Sequence, residues 1–369
     1  MPTRDRTRQI HIGNVPVGGG APVSVQSMTN VETQRVPEVL QQIKALANAG
    51  CQIVRLAVPD MNAAAALRDI IPDSPVPLVA DIHFDARLAV ESIRAGIHAV
   101  RINPGNIGGP EKVRAVVEAA GNAGIPIRAG ANGGSLPKGL LESFLAKGLD
   151  REDALAESLC TAAMEQVELL RSFHFEDVKV SLKASSVPVT VNACRKFAAR
   201  YDLPLHLGVT EAGTGYNAII KSAAGIGALL LDGIGDTIRV SLTGDPVREV
   251  RAAIRILESC GLRSAMPELV SCPTCGRTKY DMITLADRVE EYLRTQKNQG
   301  AIYSIRKVAV MGCAVNGPGE AADAELGIAG GPPGKLLLFR NGVITETVKA
   351  DEGFTRLVEE LEKFRTADQ

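Results

Sequence analysis

The sequence has almost no net charge, because 41 Lys and Arg residues nearly balance 42 Asp and Glu residues at a formal charge of −1. Such a balance gives no overall attraction to nucleic acid or to an acidic membrane surface, so we expect neither as a partner. No apolar run approaches the ~18 residues that span a membrane. The opening residues, MPTRDRTRQIHIG, lack the apolar segment of a secretory signal. These absences predict a cytoplasmic protein whose anion sites depend on local placement of Arg and Lys.

Cysteine and histidine are both scarce. The seven cysteines are odd in number, which argues against a disulfide framework and favours reduced thiols. Of the five histidines, the last in the chain is His206. The stretch SCPTCGR contains Cys272 and Cys275. After it the sequence has one more cysteine, Cys313, and no histidine. A metal site here has three thiolates and needs a fourth ligand of another kind.

Most of the chain alternates short apolar runs with amphipathic helical stretches, which is typical of strand–helix units. Eight units predict an α/β fold, a closed (β/α)8 TIM-type barrel, with a doubly wound open sheet as the alternative. The open sheet usually has fewer units, and no GxGxxG turn follows the first strand here. The predicted strands are residues 21–29, 52–58, 76–84, 98–104, 125–132, 177–185, 203–210 and 236–243.

The alternation stops near Gly261, which predicts a barrel domain over 1–262 and a smaller α+β domain over 263–369. The second domain contains the three thiols and is rich in Gly and Pro after Cys313. Its predicted elements are helices near 281–297 and 351–365 and strands near 307–311, 335–340 and 343–347.

Polar side chains stand at the ends of all eight predicted barrel strands. In such barrels the carboxyl ends of the strands, with the loops that follow, form the active site. These residues are Gln26, Ser27, Thr29, Arg55, Asp81, His83, Arg101, Asn103, Arg128, Asn132, Lys183, Ser185, His206, Thr210, Glu211, Arg239 and Ser241.

Four cations among them, Arg55, Arg101, Arg128 and Lys183, belong to four different strands. An unpaired buried cation is costly, so we expect such residues to converge only around an anion. Because guanidinium forks match phosphate oxygens, the predicted ligand has one or two phosphate groups. The alternative is that these cations extend to solvent or pair with barrel carboxylates, of which Asp81, Glu211 and Asp236 are the candidates.

Single residues at the strand ends carry less information. His83 and His206 fit an acid or base, but each equally fits a hydrogen-bonded core histidine. Glu211 precedes the glycine-containing loop AGTGYN, where a carboxylate could transfer a proton or cap the following helix.

Glu320 is the nearest hard ligand to the thiols, seven residues after Cys313 and just past a Gly-Pro-Gly turn. Three thiolates with one weaker oxygen ligand suit a [4Fe–4S] cluster that has one replaceable position. One alternative is a thioredoxin-like redox pair, although this CxxC follows a Pro-broken loop. Another is that Cys260 completes a four-cysteine zinc or cluster site.

Several motifs together resemble the bacterial 4-hydroxy-3-methylbut-2-enyl diphosphate synthase (IspG/GcpE) family. The resemblance covers nearly the whole chain in the expected order, and its combination of CxxC, a later Cys and Glu is specific. The motifs are VQSMTN, RINPGNIG, SLKASSV, PLHLGVTEAG, GIGDTIRVSL, SCPTCGR and GCAVNGPGEA.

The resemblance implies reductive ring opening and dehydroxylation of 2-C-methyl-D-erythritol 2,4-cyclodiphosphate in the non-mevalonate isoprenoid pathway. It implies flavodoxin or ferredoxin as electron donor and a homodimer whose active site is shared between chains. Proton transfer is expected from Glu211, or from Asp81 with His83. A zinc-stabilised barrel protein that binds a phosphorylated ligand without redox chemistry is the alternative. The implied cluster ligands are Cys272, Cys275, Cys313 and Glu320, and the implied diphosphate-binding residues are Arg55, Arg101, Arg128, Asn132, Lys183, Ser185 and His206.

Overall fold

The structure is a computed structural model that describes residues 4–103, 107–263, 266–315, 319 and 321–366. By its internal contacts the chain divides into two compact units, Met1–Leu262 and Arg263–Gln369. Of the helices in the described residues, none combines the length and the apolar character needed to cross a membrane.

An antiparallel hairpin precedes the barrel and is formed by β1 (Ile10–Ile12) and β2 (Val15–Val17). Its inward side chains are apolar and buried, and they pack against residues at the start of the barrel strands. The hairpin therefore closes the end of the barrel at which the strands begin. This cluster contains Ile10, Ile12, Val17, Ile53, Val79 and Ala99.

Eight parallel strands form the barrel sheet, with β8-β7-β6-β5-β4-β3-β10-β9 as the order of hydrogen-bonded neighbours. The two strands at the ends of this order are joined by a parallel bridge between Val180 and Leu205, where the Val180 amide donates to the Pro204 carbonyl at 2.9 Å. This bridge closes the ring and confirms the predicted (β/α)8 barrel over the open sheet. The strands are β3 (Ser24–Met28), β4 (Ile53–Ala57), β5 (Leu78–Asp81), β6 (Ala99–Ile102), β7 (Ile127–Asn132), β8 (Val178–Lys183), β9 (His206–Leu207) and β10 (Thr237–Ile238).

Helices follow the barrel strands and cover them with apolar faces. Several begin at a side-chain cap: Asp60, Asp150 and Asp245 each accept a backbone N–H of the first turn, which satisfies one of the donors that a helix start leaves unpaired. The helices are α1 (Val36–Asn48), α2 (Met61–Ile70), α3 (Ala86–Arg94), α4 (Pro110–Ala123), α5 (Leu140–Leu145), α6 (Arg151–Arg171), α7 (Val187–Arg200), α8 (Gly215–Leu231) and α9 (Pro246–Ser259).

The second unit is a five-stranded sheet with helices packed against it, in the strand order β11-β12-β13-β14-β15. The first three strands are parallel, and the last two pair antiparallel. Its apolar core joins the sheet to two helices, so the predicted smaller α+β domain is confirmed. The elements are β11 (Glu268–Ser271), α10 (Met282–Asn298), β12 (Lys307–Met311), β13 (Leu326–Gly330), β14 (Lys335–Arg340), β15 (Val343–Lys349) and α11 (Gly353–Glu362).

Candidate active site

Four basic side chains meet in the barrel from four strands. Arg55 lies on β4, Arg101 on β6, Arg128 on β7 and Lys183 on β8. Burial lowers the pKa of Arg128 and of Lys183 well below their ordinary values, and neighbouring positive charges, Arg55 and Arg101 among them, lower both pKa values further. Arg101 and Arg128 are register partners on adjacent strands, and Arg55 and Arg101 both reach the Asp81 carboxylate. The structure therefore brings the four predicted cations into one cluster.

Asp81 lies between two of these arginines and is almost fully buried. Its carboxylate is 3.1 Å from the Nη1 atom of Arg101 and 3.7 Å from the Nε atom of Arg55. Burial alone would raise the pKa of Asp81, but Arg55 and Arg101 outweigh it and hold that pKa below its usual value. Burial in turn lowers the pKa of Arg55 to about 10, against the opposing effect of Asp81. Asp81 is thus an ionised carboxylate that fixes two arginines.

The two predicted histidines occupy different environments. His83 is exposed, and its Nε2 atom lies 2.9 Å from the Nη1 atom of Arg101. Because arginine can only donate, Nε2 of His83 accepts and the proton resides on Nδ1. His206 is buried on β9, and neither of its ring nitrogens has a hydrogen-bond partner among the described residues. Burial, followed by Arg128, lowers the pKa of His206 well below its ordinary value, so this imidazole is neutral.

Asn132 and Ser185 follow the ends of neighbouring strands. Asn132 pairs in register with Lys183, and its side-chain oxygen accepts the backbone N–H of Gly134 at 3.2 Å. This leaves the amide nitrogen of Asn132 as a donor. Ser185 is exposed in the loop after β8, and no hydrogen bond within the described chain joins it to the cation cluster. The structure therefore places Asn132 beside the cluster and Ser185 in the loop at the same end of the barrel.

Glu211 lies in the turn between β9 and α8, exposed and with a left-handed backbone at φ 52°. A residue with a side chain rarely adopts this conformation, which costs about 1–2 kcal/mol. The residue in the N-cap position of α8 is Thr214, so the interpretation of Glu211 as a helix cap is wrong. The turn instead holds a carboxylate at the mouth of the barrel.

Two charged residues of the cluster, Arg239 and Glu249, are not among the predicted binding residues, although Arg239 was named as a polar residue at a strand end. Arg239 directly follows β10, and its Nη2 atom is 3.4 Å from the Oε1 atom of Glu249 on α9. Glu249 is buried and also accepts hydrogen bonds from the Ser27 hydroxyl and the Leu242 amide, each at 3.0 Å. Arg239 contributes to lowering the pKa of Arg55, Arg128 and Lys183. Its position at a strand end was a usable signal, and Glu249 was detectable as an acid on the apolar face of its helix.

The thiols of the second unit lie at the carboxyl edge of the sheet. Cys272 directly follows β11, and Gly312 and Cys313 directly follow β12, the adjacent parallel strand. The Cys272 sulfur accepts the backbone N–H of Gly312 at 3.2 Å. Cys275 is exposed three residues after Cys272, and hydrogen bonds from Arg277, first from its backbone, lower the pKa of the Cys275 thiol. Two adjacent strands therefore deliver all three thiols to one edge.

The donors at this edge fit an iron–sulfur cluster by their chemistry, since thiolates are the ligands that such clusters select. Glycine keeps the backbone there close-packed, because a Cβ atom on Gly312 would lie 2.8 Å from the Thr278 hydroxyl. Within the described part of the chain, no three His, Cys, Asp or Glu side chains form a group that could hold a metal ion. Glu320, the predicted fourth ligand, lies outside the described residues.

The other four cysteines belong to the barrel unit. Cys51, Cys160 and Cys194 are buried, and burial raises the pKa of each thiol to about 12. Cys260 follows α9, with its sulfur 4.0 Å from the Gly227 carbonyl, and burial also raises its pKa. Thiols in such surroundings are poor ligands because the thiolate is disfavoured.

Comparison with known proteins gives matches along nearly the whole chain. The family model described as "GcpE TIM-barrel domain" matches residues 7–254, and "GcpE protein C-terminal domain" matches residues 268–363. A protein of Geobacter sulfurreducens named 4-hydroxy-3-methylbut-2-en-1-yl diphosphate synthase (flavodoxin) is 52% identical over 358 residues, covering 97% of this chain and 98% of that protein. A protein of the same name from Clostridium perfringens is 51% identical over 360 residues, covering 98% of each.

Among solved structures, dihydropteroate synthase of Yersinia pestis aligns with a TM-score of 0.49 and 12% identity, over 69% of this chain and 97% of that chain.

Proposed function

The chain belongs to the GcpE family, whose two relatives described above are 4-hydroxy-3-methylbut-2-en-1-yl diphosphate synthases, and from this premise we infer that it is an oxidoreductase of the same activity. We propose that it opens the ring of 2-C-methyl-D-erythritol 2,4-cyclodiphosphate and removes a hydroxyl as water, at the expense of two electrons, in the non-mevalonate isoprenoid pathway. The observation that carries this proposal is the convergence of basic side chains in the barrel, namely Arg55, Arg101, Arg128, Lys183 and Arg239.

The cation cluster suits a compact diphosphate because it has more positive than negative charge. Its five basic side chains form ion pairs with two carboxylates among the described residues, Asp81 and Glu249. Binding a diphosphate anion would offset this excess and supply acceptors for guanidinium groups. In the proposed complex the contacts come from Arg55, Arg101, Arg128, Lys183, Asn132, Ser185 and His206. Neutral His206 would donate a hydrogen bond through one of its two unpartnered ring nitrogens.

A [4Fe–4S] cluster held by Cys272, Cys275 and Cys313, with Glu320 as a replaceable fourth ligand, is the proposed cofactor. When bound, such a cluster supplies electrons one at a time. The lowered pKa of the Cys275 thiol favours the thiolate, which is the form that ligates iron. The Cys272 sulfur accepts the N–H of Gly312 at 3.2 Å, and this hydrogen bond fixes the position of the sulfur at the edge of the sheet.

A proton must reach the departing hydroxyl for it to leave as water. Asp81 is poorly suited to donate it, because two arginines hold this carboxyl in its ionised form. We favour Glu211, since it is exposed on a strained turn at the barrel mouth. Among the described residues, no arginine forms an ion pair with its carboxylate. His83 is the second choice, because its Nε2 atom must first leave Arg101 and take up a proton before the imidazolium can donate one.

The experiment that tests the proposed function is anaerobic preparation of the full chain followed by reduction of the cyclic diphosphate. We expect a brown protein with about four irons and four acid-labile sulfides per chain, which forms 4-hydroxy-3-methylbut-2-enyl diphosphate when reduced flavodoxin or ferredoxin is supplied. Colourless protein that contains one zinc and binds the substrate without turnover would support the zinc alternative instead, for which the family gives no support.

A homodimer with a shared active site, at the cytoplasmic location expected above, completes the proposal. Coexpression of an Arg128→Met chain, defective in the barrel, with a Cys272→Ser chain, defective in the cluster, tests the sharing. If barrel and cluster come from different chains, half of the random dimers contain one intact site, so activity should return to about one quarter of the wild-type value.

Each variant expressed alone is the control for that mixture. At a substrate concentration below the wild-type Kd, Cys272→Ser should be inactive and Arg128→Met should keep less than about one tenth of the wild-type activity. Activity that stays at the level of the separate variants, in mixtures shown by mass to contain heterodimers, would mean that each site is completed within one chain.

A further inference from the structure

Lys179 lies deeper in the barrel than the site described above and takes no part in it. It is on β8, two residues before Ser181 and four before Lys183, so the alternation of side chains along a strand places all three on the interior face. Its exposed fraction is 2%. Together with Gln26 and Arg128 it lines a small cavity between the cation cluster and the hairpin at the barrel floor. Lys179 is therefore a buried amine directly beneath the proposed anion site.

The surroundings of Lys179 offer little to stabilise an ammonium group. Its Nζ atom lies 3.3 Å from the hydroxyl of Thr237, which is also 2.9 Å from the hydroxyl of Ser24. The ion pairs formed by the described residues do not include Lys179. Asp236 is a nearby carboxylate, but it is bound by the Leu205 amide at 2.7 Å and the Thr7 hydroxyl at 3.2 Å. A neutral hydroxyl is thus the main direct partner of this amine.

Charged groups of both signs act on Lys179 from several barrel strands. Arg128 and Arg55 disfavour its positive charge, Asp236 favours it, and Lys179 in turn disfavours protonation of His206. The charged and titratable groups of the described interior are Arg55 on β4, Asp81 on β5, Arg101 on β6, Arg128 on β7, Lys183 on β8, His206 on β9, Asp236 and Arg239 at the two ends of β10, and Glu249 on α9.

Only some of these cations can reduce the positive charge of the empty barrel. Guanidinium groups remain protonated in proteins, so Arg55, Arg101, Arg128 and Arg239 cannot release a proton. A lysine amine can, and a buried lysine readily does so. Lys183 is proposed to contact the substrate, whereas Lys179 stands behind Arg128 and is free to change its charge without breaking a contact to the ligand.

We propose that Lys179 is a buried proton acceptor coupled to substrate binding: it is neutral in the empty barrel under mildly alkaline conditions and takes one proton from solvent when the diphosphate binds above Arg128. No bond of the substrate changes in this step, since one solvent proton moves to Nζ. This inference rests on the proposed function, which supplies the anion. Burial, and then the charge of Arg128, lower the pKa of Lys179 to about 7 in the substrate-free structure.

The coupling has a defined pH dependence. Because the bound state holds one more proton than the free state, affinity falls as the pH rises above about 7, by up to roughly tenfold per pH unit. The decrease in affinity ends at a pH above the pKa of Lys179 in the complex, which substrate binding raises. A lysine with a purely structural role would not produce this loss of affinity.

The test is calorimetric titration of the cluster-loaded full chain with the cyclic diphosphate at pH 8.5, in buffers that differ in ionisation enthalpy. The slope of binding enthalpy against ionisation enthalpy gives the protons taken up. We expect Lys179→Met to take up close to one proton fewer than the wild type, while still binding the substrate. The matched control is Lys44→Met, at an exposed position on α1, which should keep the wild-type value.

Two outcomes would overturn the inference. Equal proton uptake by the wild type and Lys179→Met would assign the proton elsewhere, for example to Lys183. Absence of uptake in the wild type would exclude coupling, whether or not the variant folds. If the wild-type chain does not bind the cyclic diphosphate at all, the proposed function fails, and this inference fails with it.

Discussion

Replacement of Cys272 by serine is expected to remove iron and turnover while leaving the second unit folded. Serine keeps an acceptor for the Gly312 N–H that now reaches the Cys272 sulfur at 3.2 Å, but it is a poor ligand for an iron–sulfur cluster. Because even outer-shell partners of a metal change its affinity roughly 10- to 100-fold, loss of a direct ligand should leave less than about 1% of the activity. Iron and sulfide analysis measures the loss of the cluster, an anaerobic assay measures the loss of turnover, and circular dichroism shows whether the fold is kept.

Cys260→Ser is the matched control, because it makes the same chemical change at a thiol of the barrel unit. The Cys260 sulfur lies near the Gly227 carbonyl, so this variant should retain all of its iron and activity. Loss of iron in Cys260→Ser, with iron retained in Cys272→Ser, would contradict the assignment and favour the alternative in which Cys260 is a ligand.

The barrel could be predicted from the sequence because its strands are buried on both faces. Such strands appear as short apolar runs, and each of the eight runs contains one observed strand. Polar residues interrupt these runs at several points, and the basic ones among them located the cation cluster. This signal identified Arg55, Arg101 and Arg128. Burying an arginine in an apolar strand costs free energy unless a partner compensates its charge, so such residues indicate a site.

The second unit was harder to predict because its glycines lie inside strands as well as in turns, and a glycine-rich sequence alone indicates turns. β13, with the sequence LGIAG, lies in a Gly- and Pro-rich stretch in which no strand was predicted. A Cβ atom on Gly327 would lie 2.2 Å from the Phe339 ring, and one on Gly330 would lie 2.3 Å from the Gly312 carbonyl. These glycines allow close packing inside a sheet, a need that arises only from the tertiary fold. The short strand β11 and the hairpin before the barrel were missed as well.

The site was incomplete in the sequence-based prediction for a similar reason. Arg239 looked like one more polar strand end until its neighbours were known, and Glu249 lies on a helix rather than a strand. The ion pair between them forms across the loop that joins β10 to α9. Lys179 was hidden because its strand, VKVSLK, contains two lysines with the same orientation, and only depth within the barrel distinguishes them.

Arg128→Met is expected to weaken substrate binding and at the same time to stabilise the empty protein. In the empty barrel Arg128 is buried, and its Nε and Nη2 atoms reach only the Ser181 hydroxyl. Its Nη1 atom has no partner among the described residues. Removing this poorly compensated charge should raise the free energy of unfolding by about 1–3 kcal/mol. Loss of a charged hydrogen bond to the diphosphate should cost about 1.5–3 kcal/mol of binding, or roughly 10- to 160-fold in Kd.

The opposite signs of these two effects separate a ligand-binding arginine from one that supports the fold. Denaturant unfolding of the ligand-free protein and calorimetric titration with the cyclic diphosphate measure them independently. Arg68→Met is the matched control, because Arg68 pairs with Glu91 at the surface and should change neither quantity by more than about 0.5 kcal/mol. If Arg128→Met instead destabilised the barrel and left the affinity unchanged, Arg128 would be a structural residue. The excess positive charge of the barrel would then need an explanation other than a diphosphate.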